Sequence, residues 1–127
     1  MYFKKNNYLI IANLYGCVER IKNAEFLKAI LNEAIKKAKL KKVEECYHQF
    51  KNLEGATGIV LLATSHICLH SWPEKDNMLT IDIFSCDGKG KAKAVYTFLE
   101  KKLTPKGRLF IVDKGGRNVK DIEATGS

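Results

Sequence analysis

The segment Thr64-Ser65-His66-Ile67-Cys68-Leu69-His70-Ser71-Trp72-Pro73-Glu74 packs a serine hydroxyl, two imidazoles, a thiol and a carboxylate into one short stretch. If it is extended, successive side chains point to opposite sides, so His66, Cys68 and His70 share one face and Ile67 and Leu69 the other. Two chemistries follow from the residues alone. Imidazole and thiolate are good zinc ligands, but a site on alternate strand positions needs a fourth ligand, from Cys86 or a carboxylate. A hydrolase would use Ser65 or Cys68 with a histidine base. Adjacent strand residues face apart, so Ser65 and His66 pair poorly, and no Gly-x-Ser-x-Gly elbow is present.

The surrounding elements must position this stretch. Tyr8 to Tyr15 is a β-rich run closed by Gly16, which predicts a buried first strand ending in a turn. Asn23 is placed to cap a helix whose apolar residues Phe26, Leu27, Ile30, Leu31, Ala34, Ile35 and Ala38 recur at three- and four-residue steps. Val43 to Phe50 reads as a second strand, Gly55-Ala56-Thr57-Gly58 as a tight turn, and Ile59 to Ala63 as the start of a third strand. Leu79, Ile81 and Ile83 alternate with Thr80, Asp82 and Phe84 in a further strand, and Cys86-Asp87-Gly88-Lys89-Gly90 forms its exit loop. A second amphipathic helix, with Ala94, Val95, Phe98 and Leu99 as its apolar positions, stops before Thr104-Pro105. Leu109 to Val112 supplies a last strand, and the tail after Gly116 reads as frayed.

The order β-α-β-β-β-β-α-β predicts an α+β two-layer sandwich, a mostly antiparallel sheet with two helices on one face. The face bearing His66, Cys68 and His70 is then left over to hold a site or to be covered, and a homodimer would cover it.

The 127 residues suit one domain, and 46% hydrophobic against 28% charged residues argues for a packed core and against disorder. The longest apolar runs are too short to cross a bilayer. Lys4 and Lys5 precede a brief apolar stretch with no small-residue cleavage site after it, so a cytoplasmic location is expected and no membrane partner. The four cysteines, Cys17, Cys46, Cys68 and Cys86, lack CxxC spacing and read mainly as buried thiols. A net charge of +8 raises a non-enzymatic alternative, a basic domain that binds nucleic acid. Lys36, Lys37, Lys39, Lys41 and Lys42 crowd one helix end, however, where cations complement the helix dipole and a solvated face suffices.

Ser65 to Glu74 resembles the processing-site signature of prokaryotic S-adenosylmethionine decarboxylases, a pyruvoyl-dependent proenzyme family. The resemblance extends forward through Ile81-Asp82-Ile83-Phe84-Ser85-Cys86, similar to the family's Asp-x-Phe-Thr-Cys segment, and backward to Gly55-Ala56-Thr57-Gly58 and Tyr47-His48-Gln49-Phe50. It implies that the Ser65 hydroxyl attacks the Thr64 carbonyl in an N-to-O acyl shift. Elimination from the ester then splits the single domain into chains 1–64 and 65–127 and leaves a pyruvoyl group heading the second.

By the same resemblance His70 and Thr57 assist processing, Cys86 donates the proton to the substrate α-carbon, and Glu74, Phe50 and Ile67 bind the substrate. Glu74 would hold the ribose hydroxyls and Phe50 would stack on adenine. The pyruvoyl carbonyl takes the substrate's α-amine and draws off the electrons left by carbon dioxide, as PLP does elsewhere. No metal is implied, and the partners expected are a small-molecule substrate and a second copy of the processed chain, with the product feeding spermidine synthesis.

Three positions depart from the family's pattern. Thr57 stands where the family usually has serine, and its added methyl predicts slower processing. Thr64 stands where relatives commonly carry Glu or Lys. The link Lys75 to Thr80 is one residue longer than usual, which leaves arginine or ornithine as the alternative substrate, with Asp76 or Asp82 to meet its far end.

Overall fold

The structure, a computed structural model, describes residues 8–52, 54–86, 89–114 and 121–125. Lys4, Lys5, Asp87 and Gly88 from the sequence reading lie outside them. Strand β1 (Tyr8–Tyr15) leads through a 3-10 turn (Glu19–Lys22) to helix α1 (Ala24–Lys37). Strands β2 (Lys42–Gln49), β3 (Ala56–Leu62), β4 (His66–Trp72) and β5 (Met78–Ser85) follow, then helix α2 (Lys89–Leu103), β6 (Gly107–Lys114) and β7 (Asp121–Thr125). One seven-stranded sheet has the order β2-β3-β4-β5-β1-β6-β7, and every neighbouring pair is antiparallel. The expected sandwich is therefore present, with β7 added.

Burial alternates along each central strand because one face meets the helices. Ile10, Ala12 and Leu14 of β1, Ile67 and Leu69 of β4, and Leu79, Ile81 and Ile83 of β5 pack with Leu27, Ile30, Leu31 and Ile35 of α1 and Val95, Leu99 and Leu103 of α2. At about 25 cal/mol per Å² of apolar surface, this single layer of aliphatic side chains supplies the main drive to fold. The opposite face carries His66, Cys68 and His70, all half-buried, as the alternation predicts.

The structure corrects four local expectations. Asn23 makes no side-chain cap bond; Gln49 of β2 does that work from a distance in sequence. Its Oε1 accepts from the Ala24 amide at 2.6 Å, while its Nε2 donates to the Lys22 and Gly55 carbonyls at 2.7 and 2.8 Å. Of the glycine-marked turn 55–58, only Gly55 turns, at φ +121°, and Ala56, Thr57 and Gly58 already lie in β3. Gly58 is required there for space, because a Cβ on it would come within 2.6 Å of the Tyr47 ring on β2.

Lys89 and Gly90, read as loop, begin α2. The tail read as frayed contains β7, which pairs with β6 from Arg108↔Thr125 to Val112↔Asp121. Its Asp-Ile-Glu-Ala-Thr alternation is only five residues long, too short to stand out between glycines. Among the described residues, no helix is long and apolar enough to cross a membrane.

Candidate active site

The candidate residues gather at two separated ends of the β3–β4–β5 ladder. Thr57 and His70 are direct partners in the β3–β4 register, and Thr57 Oγ1 lies 2.6 Å from His70 Nδ1. With the ring proton on Nε2 the hydroxyl donates to Nδ1; with it on Nδ1 the ring donates to the hydroxyl. Burial lowers the His70 pKa, and the nearby Glu74 carboxylate opposes that shift. Burial thus favours the neutral imidazole.

Around it stand aromatic rings. Phe50 lies 5.3 Å from His70 between centroids, Trp72 lies 4.2 Å away, and His48 meets Phe50 edge-on at 4.9 Å. Lys75 sits over the Trp72 ring at 4.9 Å. Trp72 Nε1 is shielded and has no acceptor among the described residues. A shielded donor without an acceptor is costly unless a ligand meets it. Sequence alone assigned Trp72 no role; its place on β4, in the same alternation as His66 and His70, was the available signal. Beside this group Thr80 donates to Asn13 Oδ1 at 3.0 Å, a pair that spans β5 and β1 and that no local motif reveals.

The second place is the other end of the same strands. Thr64 and Ser65 close the β3–β4 hairpin, where the Leu62 amide donates to the Ser65 carbonyl at 2.9 Å. Ser65 Oγ is shielded and has no hydrogen-bond partner among the described residues. Cys86 directly follows β5, whose Phe84 pairs with His66 across the strands and stacks on its ring at 5.7 Å. Ser65 and Cys86 therefore share one end of the β4–β5 ladder.

From Ser65 to His70 the extended chain runs roughly 16 Å at the rise of a β-strand. Within one chain the hydroxyl and the imidazole do not meet. Ile67 leaves the candidate set: its side chain is 0% exposed and faces the helices, as the alternation on β4 dictates. Asp76 lies in the link after β4, where its carbonyl accepts from the Gly16 amide at 2.8 Å. Its charge adds to burial in pushing the Cys17 thiol up to about 12. Asp82 lies mid-sheet, opposite Cys68.

The open face is also apolar. Ile11, Ile59, Leu61 and Leu109 are 37%, 45%, 50% and 39% exposed. Aliphatic side chains exposed across one sheet face are of the kind found at interaction surfaces.

The chain matches the S-adenosylmethionine decarboxylase family over residues 8–112. It is 44% identical over 108 residues to the S-adenosylmethionine decarboxylase proenzyme of Archaeoglobus fulgidus, covering 84% of this chain and 95% of that one. Against the proenzyme of Sulfurihydrogenibium sp. it is 44% identical over 98 residues, covering 76% and 72%. The crystal structure of the adenosylmethionine decarboxylase of Aquifex aeolicus superposes with a TM-score of 0.82 at 34% identity, covering 93% of this chain and 97% of that one. The hairpin serine, the paired hydroxyl and imidazole, and the sheet that carries them thus sit in a chain that belongs to the S-adenosylmethionine decarboxylase family.

Proposed function

We propose that this family member is a proenzyme that cuts itself between Thr64 and Ser65, converts Ser65 into a pyruvoyl group, and uses it to decarboxylate S-adenosylmethionine. The observation that carries the reading is the Ser65 hydroxyl, shielded in the hairpin turn with no hydrogen-bond partner among the described residues. A hydroxyl not tied up as donor or acceptor is available for attack on the Thr64 carbonyl. The turn fits the group because the new chain end would form at the end of β4, beside Cys86.

When formed, the pyruvoyl group supplies an electron-withdrawing carbonyl that accepts an α-amine and the electrons released with carbon dioxide. The chain's own side chains do the rest. Cys86, next to Ser65 at the end of the ladder, delivers the proton to the substrate α-carbon. Phe50 and Trp72 provide aromatic faces for the adenine, and Glu74 accepts from the ribose hydroxyls.

Neutral His70, aligned by Thr57, carries the proton during processing. Since His70 stands roughly 16 Å along the strand from its own Ser65, the proton carrier comes from a second copy. Two chains facing each other through their apolar sheet faces, with strands antiparallel across a two-fold axis, bring the Ser65 end of one against the His70 end of the other. Each site is then composite.

The test is the mass of the purified chain under denaturing conditions. The proposal expects fragments 1–64 and 65–127, and a single intact chain in Ser65→Ala. A wild-type chain that stays whole would sink it. Carbon dioxide release from S-adenosylmethionine, arginine and ornithine, assayed separately, fixes the substrate. Turnover of a basic amino acid alone would replace S-adenosylmethionine in the proposal and leave the chemistry standing.

A further inference from the structure

We propose that His66, Cys68 and Asp82 form a binding site for a divalent transition-metal ion of the zinc class on the open face of the sheet. Cys68 and Asp82 are direct register partners on β4 and β5, and His66 lies on the same face of β4 beside them. Their ligand atoms all fall within 4.8 Å of one another, and His66 Nε2 is 3.8 Å from Asp82 Oδ1. Zinc bonds of about 2.0 Å to nitrogen or oxygen and about 2.3 Å to sulfur, at tetrahedral angles, need ligand atoms roughly 3.5 Å apart. The cluster must close by roughly 1.3 Å at most, which side-chain rotation supplies while the paired backbones stay fixed.

Two further features point to a cation. Asp82 Oδ1 is shielded yet has no hydrogen-bond donor among the described residues, and its contact with His66 is too long to be one. The Asp82 side chain as a whole is 41% exposed, so a cation can reach that oxygen from solvent and find a carboxylate ligand with no competing donor. The His66 ring is meanwhile steadied by Phe84, stacked at an interplanar angle of 22°, so its nitrogens are held in place for a ligand.

The donor set selects the metal. Magnesium and calcium take all-oxygen shells, whereas imidazole, thiolate and carboxylate together suit zinc, and three protein ligands leave a fourth position for water. Loading releases the Cys68 thiol proton to solvent as the sulfur–metal bond forms, so affinity falls on acidification.

The experiment uses full-length Ser65→Ala protein, so binding is read without cleavage or turnover and stands apart from the proposed activity. Cobalt(II) is titrated as an optical probe and zinc by calorimetry at neutral pH. The expected result is about one equivalent of cobalt per chain with a thiolate-to-metal charge-transfer band, displaced by zinc. The added substitution Cys68→Ser should abolish the band, Asp82→Asn should weaken binding about tenfold or more, and Cys46→Ser should change neither. Absence of a band, a band that survives Cys68→Ser, or unchanged affinity in Asp82→Asn with a native circular-dichroism spectrum would each overturn the proposal.

Discussion

At the scale of single residues, the proposed processing role of His70 would set the pH behaviour. Burial holds its pKa below the usual imidazole value and Glu74 partly restores it. The unfolded chain therefore binds this proton more readily than the native one. The stability that His70 contributes is present above the unfolded pKa and is lost as pH falls through the lowered folded value. Processing, which needs the neutral ring, should share that acid limb. Glu74→Gln removes the opposing charge and should move the limb of the processing rate to lower pH, a shift read by timed denaturing gels across a pH series. An unmoved limb would detach Glu74 from His70.

Thr57 gives a second prediction at this scale. Its hydroxyl already meets Nδ1 at 2.6 Å, so Thr57→Ser keeps the hydrogen bond, drops one methyl and should speed cleavage. Thr57→Ala should slow it by roughly tenfold to a hundredfold, the loss of one positioned hydrogen bond of about 1.5–3 kcal/mol. Cys86→Ala should cut normally yet lose activity during turnover as its cofactor becomes alanine. Sustained turnover in that variant would remove Cys86 from the mechanism.

At the scale of elements, the fold was legible wherever one segment's own pattern decides its fate. The β-rich run of β1 announced its strand, and the alternation of β5 and the three- and four-residue steps of α1 announced both element and buried face. On α2 the helix was legible, but Ala94 is exposed, and Ala92 and Leu103 take the buried face with Val95 and Leu99. The face shared by His66, Cys68 and His70 followed from the same alternation. What escaped was decided between segments. Gln49 caps α1 from the far end of β2, and no window around Asn23 contains it. Gly58 is a strand residue because Tyr47 needs the room, whereas glycine near another glycine reads locally as a turn. The 16 Å between Ser65 and His70 was hidden because a motif written in one line suggests proximity that an extended strand does not give.

Both surprises can be measured. Gln49→Ala should cost about 1 kcal/mol or somewhat more in a denaturation curve, as for a lost cap, since three backbone groups lose their partner together. Gly58→Ala should cost about 1–3 kcal/mol by overpacking against the Tyr47 ring. If Gly58→Ala proved neutral, the close approach of β2 and β3 would not be a constraint on the fold.

At the scale of the whole molecule, the proposed division of the site between two strand ends would make assembly a requirement of processing. Mixing Ser65→Ala and His70→Ala chains, each uncut alone, should yield cleaved His70→Ala chains, because the Ser65→Ala partner lends the missing imidazole. Absence of cleaved product from mixed dimers verified by native mass spectrometry would place all processing groups within one chain. The same covering of Ile11, Ile59, Leu61 and Leu109 should make thermal stability rise with protein concentration.

A cut at Thr64-Ser65 would leave the sheet braided from two polypeptides. The first fragment would own β1, β2 and β3, and the second β4 to β7, yet β1 lies between β5 and β6 in the sheet order. Hydrogen-bonded on both sides by its former other half, β1 would act as a permanent clasp, so the severed pieces could part only by unfolding. Maturation would then be a one-way passage. A chain that once folded by searching its own length would, after denaturation, have to find a separate molecule, and the native state would persist through slow escape more than through easy return.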